Sequence, residues 1–450
     1  MNDTQIKYKQ YFTPDKLANF MVSIIPDAKI KNVIDLSMGV CGLLDAAKNR
    51  WHSVKLLGAD IDSVLIKKIK KNSPYIDIHY GDGLAECLAD NWPQYSSILS
   101  SNKFDLAIAN PPFDFYNRDT WSIENNKLQL PIEIRFLLKY IDIIREEGYV
   151  CIILPYGFLS LDLYSKLRQY LLTKVSILRI IKLFRNCFSS IDAETCLILF
   201  QKKCEKDQNI QKFIKFESIN DAYEITDSYT IKCNETNRFD IEYYKAQDNC
   251  KNIFRNIFYP IKPLSEFIVN CKRGKTITRH PELLSSNGIR FLHTTDVLKL
   301  SIKEKNKKYV LNTNNYFKDA FADFESILIG RVGNACIGKV AIQTYKNKKH
   351  IISDCLYCLE TTGINVYYLT LYLASKFSQQ QLKGMARGSC SRYITQNDLT
   401  NIKIVVPSTS LQEYFGNKYK RLLKTSNKFD IEKIQDLLSE MEKTIEKKGI

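Results

Sequence analysis

The 450 residues predict a doubly wound α/β sheet in the N-terminal half, then a smaller mixed α+β unit and a C-terminal helix. Three observations carry this. Short apolar runs alternate with amphipathic stretches over the first two hundred residues, the pattern of strands joined by crossover helices. The length exceeds what one hydrophobic core usually serves, so two domains are expected. The charge also divides unevenly. Residues 1–250 hold 32 Lys and Arg against 32 Asp and Glu, while 251–450 hold 33 against 17, so all of the net +16 lies in the second part. A neutral half joined to a basic half suggests an engine tethered to a polyanion grip. A solvated lysine-rich surface is the plainer account of the same charge.

The elements follow in order. Strands are expected at Val33–Leu36, Lys55–Ala59, Ile76–Tyr80, Phe104–Ala109, Tyr149–Leu154, Ile177–Leu183 and Thr195–Gln201, the last two as an antiparallel hairpin. Helical patterns between them include Pro14–Ile25, Ser63–Lys71 and Ile132–Glu146. The first domain is therefore 1–203. A polar stretch at 204–236 reads as a connector, and 237–424 as the second unit. That unit has strands at Ser326–Arg331, Gly338–Thr344 and Ile402–Val406 and a helix near Val366–Leu382. In the tail, 425–450, apolar residues recur at Ile431, Ile434, Leu438, Met441 and Ile445, a helix with one apolar seam. The seam either packs on its own domain or docks onto a partner, which includes self-association.

Composition excludes several classes. A chain 45% hydrophobic and 25% charged is ordinary for a globular protein. The 13 cysteines are scattered, and the CxxC at Cys355–Cys358 has no second pair to complete a zinc site, so reduced thiols and no metal are expected. The N-terminus lacks a signal-peptide core, and the longest apolar run, Tyr149 to Leu161, is short and broken by Pro155 and Gly157. A cytoplasmic location is expected.

In a doubly wound sheet, ligands sit at the carboxyl ends of the strands. Asp35 closes the first strand and enters Leu-Ser37-Met-Gly39-Val-Cys-Gly42; Asp60 closes the second, Asp82 follows the third and Asn110 the fourth. A carboxylate after the second strand suits ribose hydroxyls, and small residues after the first let a ligand approach the backbone. Helix capping explains any one of these residues alone. Four in order point to a nucleoside cofactor. No P-loop and no GxGxxG fingerprint is present, which leaves S-adenosylmethionine.

The stretch Asn110-Pro111-Pro112-Phe113 ends the fourth strand in a rigid corner. An exocyclic adenine amine is a poor nucleophile because its lone pair is delocalised into the ring. Two fixed acceptors aimed at its N–H groups, the Asn110 side-chain oxygen and the Pro111 carbonyl, favour a tetrahedral nitrogen. Proline fixes φ and holds the preceding residue extended, so such acceptors stay aimed. Phe113 offers a face for a base. No Pro-Cys dipeptide occurs, against the thiolate chemistry of cytosine C5 methylation.

With these motifs in this order, residues 1–203 resemble the gamma class of amino DNA methyltransferases, the modification domains of TaqI-like, type I and type IIG systems. The resemblance implies a Rossmann-like methyltransferase sheet and transfer of a methyl group from S-adenosylmethionine to adenine N6 of a flipped-out base in double-stranded DNA. Tyr11-Phe-Thr13-Pro14 resembles the N-terminal cofactor motif. Asp35 would lie near the methionine moiety, Asp60 and Ile61 would hold ribose and adenine, and Asp82 the adenine amine. Phe188, in Cys187-Phe-Ser-Ser-Ile-Asp-Ala-Glu-Thr-Cys196, would stack on the extruded base. The family loop reads close to D-P-A-C-G-S-G-G; here Leu36 replaces proline and Cys41 the second glycine, a side chain expected to crowd the cofactor.

Residues 237–424 resemble a target-recognition domain of type I specificity subunits, through Arg238-Phe-Asp-Ile-Glu-Tyr-Tyr244, Ile327-Leu-Ile-Gly-Arg-Val-Gly-Asn334 and Gly388-Ser-Cys-Ser-Arg-Tyr-Ile-Thr395. Lys272, Arg273, Lys275 and Arg279 are expected on one loop as DNA contacts. Arg331, Arg387 and Arg392 are further candidates within the motifs. The implied role is site-specific adenine methylation in a restriction-modification or related defence system. Two alternatives stand: a non-catalytic or partner-dependent DNA-recognition subunit, and an RNA adenine methyltransferase.

Overall fold

The computed structural model describes residues 12–446, apart from 102, 115–117, 124–125, 189–193, 205–210, 212, 233–237, 305–306, 312–314, 389–390 and 426–430. Tyr11, Ser189–Ala193, Ser389 and Cys390, named in the motifs above, lie outside the described residues. The chain divides into two units, Met1–Ile241 and Glu242–Ile450.

The first unit is built on a nine-stranded sheet. Its elements are α1 (Asp15–Ser23), β1 (Asn32–Asp35), α2 (Gly42–Arg50), β2 (Lys55–Asp60), α3 (Ser63–Asn72), β3 (Ile76–Tyr80), α4 (Pro93–Ser101) and β4 (Phe104–Ala109). Then come a two-stranded hairpin, β5 (Arg118–Ile123) with β6 (Asn126–Pro131), and α5 (Ile132–Ile143), β7 (Ile144–Pro155), α6 (Ser165–Lys174), β8 (Val175–Lys182), β9 (Thr195–Lys202), β10 (Phe213–Ile219) and β11 (Ile225–Lys232). The strand order is β11-β10-β8-β9-β7-β4-β1-β2-β3. The chain runs outward through β1, β2 and β3, then returns to place β4 on the other side of β1, all in parallel. Adjacent strands β1 and β4 thus flank the switch point, where the connections leave a crevice. Their residues are mostly apolar and, Asn32 apart, buried, as a sheet covered on both faces requires.

Three expectations change here. The antiparallel pairing of β8 with β9 is present, but the sheet does not end there. Residues 213–232, expected within a connector, form β10 and β11; β10 pairs in parallel with β8 and antiparallel with β11. Their outer residues stay exposed, so the composition is polar although Ile214, Phe216 and Ile231 face the core. The helix expected to reach Glu146 ends at Ile143, where the chain turns directly into β7. Residues Arg238, Phe239 and Asp240, expected to open the second unit, are buried in the first: Phe239 N–H donates to the Leu159 carbonyl.

The second unit, from Glu242, takes in all but the first residue of α7 (Ile241–Phe254) and, among the described residues, eleven short strands. They are β12 (Ile261–Pro263), β13 (Ile268–Arg273), β14 (Leu284–Ser285), β15 (Ile289–Leu292), β16 (Lys308–Val310), β17 (Phe321–Ala322), β18 (Ile327–Gly330), β19 (Val340–Ile342), β20 (His350–Ile352), β21 (Leu356–Thr361) and β22 (Lys403–Val405). The helix expected over Val366–Leu382 is two helices, Val366–Ala374 and Lys376–Met385, separated at Ser375, whose backbone is extended (φ −73°, ψ 163°). The tail helix spans Ile431–Glu446, and Ile434, Leu438, Met441 and Ile445 sit in the core of this unit beside Tyr419. These four seam residues therefore pack on their own domain, the first of the two readings of the seam. Among the described residues the cysteines are free thiols, no group of ligating side chains fits a metal, and no helix is long and apolar enough to cross a membrane.

Candidate active site at the switch point

A cleft of about 580 Å³ opens over the carboxyl ends of β1 to β4. Its walls include Ser37, Gly39, Asp60, Ile61, Asp82, Asn110 and Pro112, all expected from the sequence. A smaller adjoining recess is lined by Thr13, Asp35, Gly42 and again Asn110. Asn110 therefore stands at the boundary of both spaces.

The loop after β1 is shaped by its neighbours. Asp35 is buried, and its Oδ1 accepts from Ser37 N–H at 2.9 Å, Ser37 Oγ at 3.3 Å and Tyr140 Oη at 3.2 Å. Burial pushes its carboxyl up to about 7, against these bonds. Gly39 turns with φ +53°, and its N–H donates to Asp60 Oδ2 at 2.9 Å. Asp60 Oδ1 accepts from Asp62 N–H at 2.9 Å, and burial raises this carboxyl above its usual range as well. Two carboxylates brought together at strand ends, both desolvated, suit a cationic ligand bearing hydroxyl donors. Asp82 is exposed at the rim, with Oδ1 on Leu84 N–H at 2.9 Å. Ile61 is exposed on the wall and offers an apolar plane.

Cys41 does not crowd the cleft. It is buried in the core, with Sγ 3.5 Å from Met38 Sδ, and lines neither space. Its φ of +69° lies in the left-handed region that glycine favours.

At the end of β4, Asn110 Nδ2 donates to Thr13 Oγ1 at 3.2 Å. That bond orients the amide, placing its oxygen on the side away from Thr13. Pro111 is buried beneath the corner and Pro112 is in the wall. Phe113 and Phe188 are not in the cleft. Phe188 is buried within the core cluster of the sheet, and half-buried Phe113 packs against that cluster.

The sequence reading missed Tyr140, Phe12, Ile132 and Phe136. Phe12, Ile132 and Phe136 line the cleft, and Tyr140, one turn after Phe136 on α5, reaches under it. Only Phe12 carried a signal, as a member of the Phe-Thr-Pro motif.

In the second unit most candidate DNA contacts are engaged internally. Lys272 and Arg273 lie on β13, not on a loop; Lys272 pairs with Glu360, and Arg273 lies 3.6 Å from Asp354. Arg331 donates to the Asp354 carbonyl and Arg392 to the Ala386 carbonyl. Arg387 forms a buried pair with Asp398, which also closes the capping box of Thr395. Lys275 and Arg279 lie in the loop after β13, Arg279 exposed.

This crevice, with its strand-end acids and Asn-Pro-Pro-Phe corner, places the chain in a known class. The chain belongs to the N-6 DNA methylase family, whose model matches residues 2–252. Residues 259–441 match the type I restriction modification DNA specificity domain. A protein of Methanocaldococcus jannaschii named as a type II restriction enzyme and methyltransferase is 25% identical over 385 residues, 76% of this chain and 30% of that protein. The type II methyltransferase M.AccI of Acinetobacter calcoaceticus is 26% identical over 236 residues, 49% of this chain and 41% of its own length. The chain thus spans well under half the length of either. Its fold is similar to that of the type IIL restriction-modification enzyme MmeI, solved in complex with DNA, with TM-score 0.56 and 11% identity over 96% of this chain and 71% of that one.

Proposed function

We propose that the chain is a site-specific DNA methyltransferase acting on adenine N6, part of a restriction-modification or related defence system. The observation that carries this is the placement of Asn110 on both spaces, the acid-lined recess and the wider cleft. The residues fit S-adenosylmethionine: Asp35 and Asp60 suit its cationic and hydroxyl groups, Asp82 and Ile61 its adenine, and Gly39 leaves room for its backbone. When bound, this cofactor supplies an electrophilic methyl group. The chain's own work is positioning. Asn110, oriented by Thr13, and the Pro111 carbonyl accept the two N–H bonds of the target amine and hold its lone pair toward the recess. Fixed acceptors at a site of low dielectric need no reorganisation during the reaction. Phe113 and Phe188 would serve as stacking faces only after turning out of the core around an extruded base.

The non-catalytic alternative drew on the altered loop, and the inward-facing Cys41 removes its motive. The test is modification-sensitive long-read sequencing of DNA from a methylation-free host expressing this chain. The expected result is N6-methyladenine in one recurring motif, abolished by Asn110→Ala. Unmodified DNA from folded protein would overturn the stand-alone reading.

A further inference from the structure

The second unit holds a cleft of about 950 Å³ that no expectation covered, on the sheet formed by β15, β16, β17 and β20. Arg290 on β15 is paired with Tyr309 on β16, and β20 runs parallel to β15, bringing His350 alongside. The loop before β20 adds Tyr345, Lys348 and Lys349 to the rim.

Two features distinguish it from a gap between surface lysines. His350 is 3% exposed, and neither ring nitrogen has a hydrogen-bond partner among the described residues. Burial pushes it down to about 4, so the imidazole is neutral, with one donor and one acceptor. Arg290 is equally buried: Nη1 pairs with Glu304 at 3.2 Å and Nη2 donates to the Lys303 carbonyl, while Nε has no partner among the described residues. Buried polar atoms are normally satisfied, so an unmatched donor and acceptor side by side call for a ligand carrying both. Tyr345 stands edge-on to His350, with ring centres 5.2 Å apart, and Tyr309 is half-buried beside Arg290. Glu304 offsets Arg290 and Lys307, and Asp323 lies 2.7 Å from Lys349; Lys348 adds a further exposed cation. The rim is net positive.

We propose that this cleft holds one unstacked nucleotide, its base among Tyr309, Tyr345 and His350 and its phosphate on Lys348 and Lys349. A concave site with rings and cations fits a single nucleotide better than the groove of an intact duplex, and a base edge offers the donor and acceptor that His350 and Arg290 lack. The ligand is a nucleoside phosphate, supplied either by a DNA chain or by a free nucleotide. The inference goes beyond the methyl-transfer reading and does not depend on it.

The test titrates the full chain with each of the four deoxynucleoside 5′-monophosphates by calorimetry, in wild type, Asn110→Ala, Lys348→Ala/Lys349→Ala and Tyr345→Ala. Lys348 and Lys349 are exposed, so their variant keeps the fold, and a thermal melt checks that half-buried Tyr345→Ala does too. The expected result is binding of at least one mononucleotide, weakened about tenfold by the loop variants and unchanged by Asn110→Ala. Displacement by a short single-stranded oligodeoxynucleotide then identifies a DNA chain as the source, and no displacement a free nucleotide. Binding that is absent from the wild type, or that ignores the loop variants, overturns the proposal whether or not the chain methylates DNA.

Discussion

Tyr140 Oη accepts a hydrogen bond from the Leu36 backbone N–H at 2.8 Å, joining the middle of α5 to the loop after β1. The same oxygen donates to Asp35. The family loop has proline at position 36, which needs no acceptor; leucine brings a buried N–H, and Tyr140 satisfies it. Tyr140→Phe leaves that donor orphaned, a penalty of about 1–3 kcal/mol. Calorimetric affinity for S-adenosylmethionine is expected to fall about tenfold. Adding Leu36→Pro, which deletes the donor behind an already extended residue, recovers part of the loss. Equal affinities for wild type and Tyr140→Phe would refute the role.

Asp35 gives a pH dependence. Its carboxyl is raised from 3.8 to about 7, so the folded form holds a proton that the unfolded chain has released. Stability is therefore full below about 4 and declines as pH rises through about 7. Asp35→Asn, neutral throughout, is expected to gain melting temperature over wild type by clearly more at pH 8 than at pH 5. A constant difference between the two pH values would contradict this.

Gly83 lies against the same loop. A Cβ there would come within 2.2 Å of the Leu36 carbonyl oxygen, a backbone atom that cannot step aside cheaply. Gly83→Ala is expected to destabilise by about 1–3 kcal/mol and to weaken cofactor binding. Thermal melts with and without S-adenosylmethionine report both.

Cys41→Gly separates strain from crowding. Relief of the left-handed backbone, about 1 kcal/mol, offsets the lost burial of the thiol. Cofactor affinity is expected to stay within about twofold of wild type. A large gain would mean that the side chain does obstruct the cleft.

Arg387→Ala tests structure against DNA contact. Removing one partner of a buried pair leaves Asp398 uncompensated, about 3–5 kcal/mol. The second unit should melt earlier, whatever DNA is present. A normal melt with weakened DNA binding would instead make Arg387 a DNA contact.

The central strands were readable because a sheet buried on both faces writes itself as continuous apolar runs, and β3 and β4 match the expected limits residue for residue. The strand-end acids were readable for a related reason: their place follows from the strand. Strands β10 and β11 were not, because an outer strand keeps one face polar and looks like a linker. Tyr140 was invisible, since its partners are 104 and 105 positions away and nothing local marks it. The internal pairing of the basic candidates was hidden differently. Lys272 and Arg387 are cations whose counter-charges, Glu360 and Asp398, are distant or unremarkable in the sequence.

Strand β10 also bears on how the chain is handled. A fragment cut at residue 203, where the polar stretch begins, would strip β10 from β8 and bare a row of unpaired backbone groups beside Ile177, Ile180 and Ile181. Such an edge is a template for another copy, and the fragment is expected to aggregate. A cut that keeps β10 and β11 leaves the outermost position to a strand already clad in Thr226, Asp227, Ser228 and Thr230, a natural selvedge to the sheet.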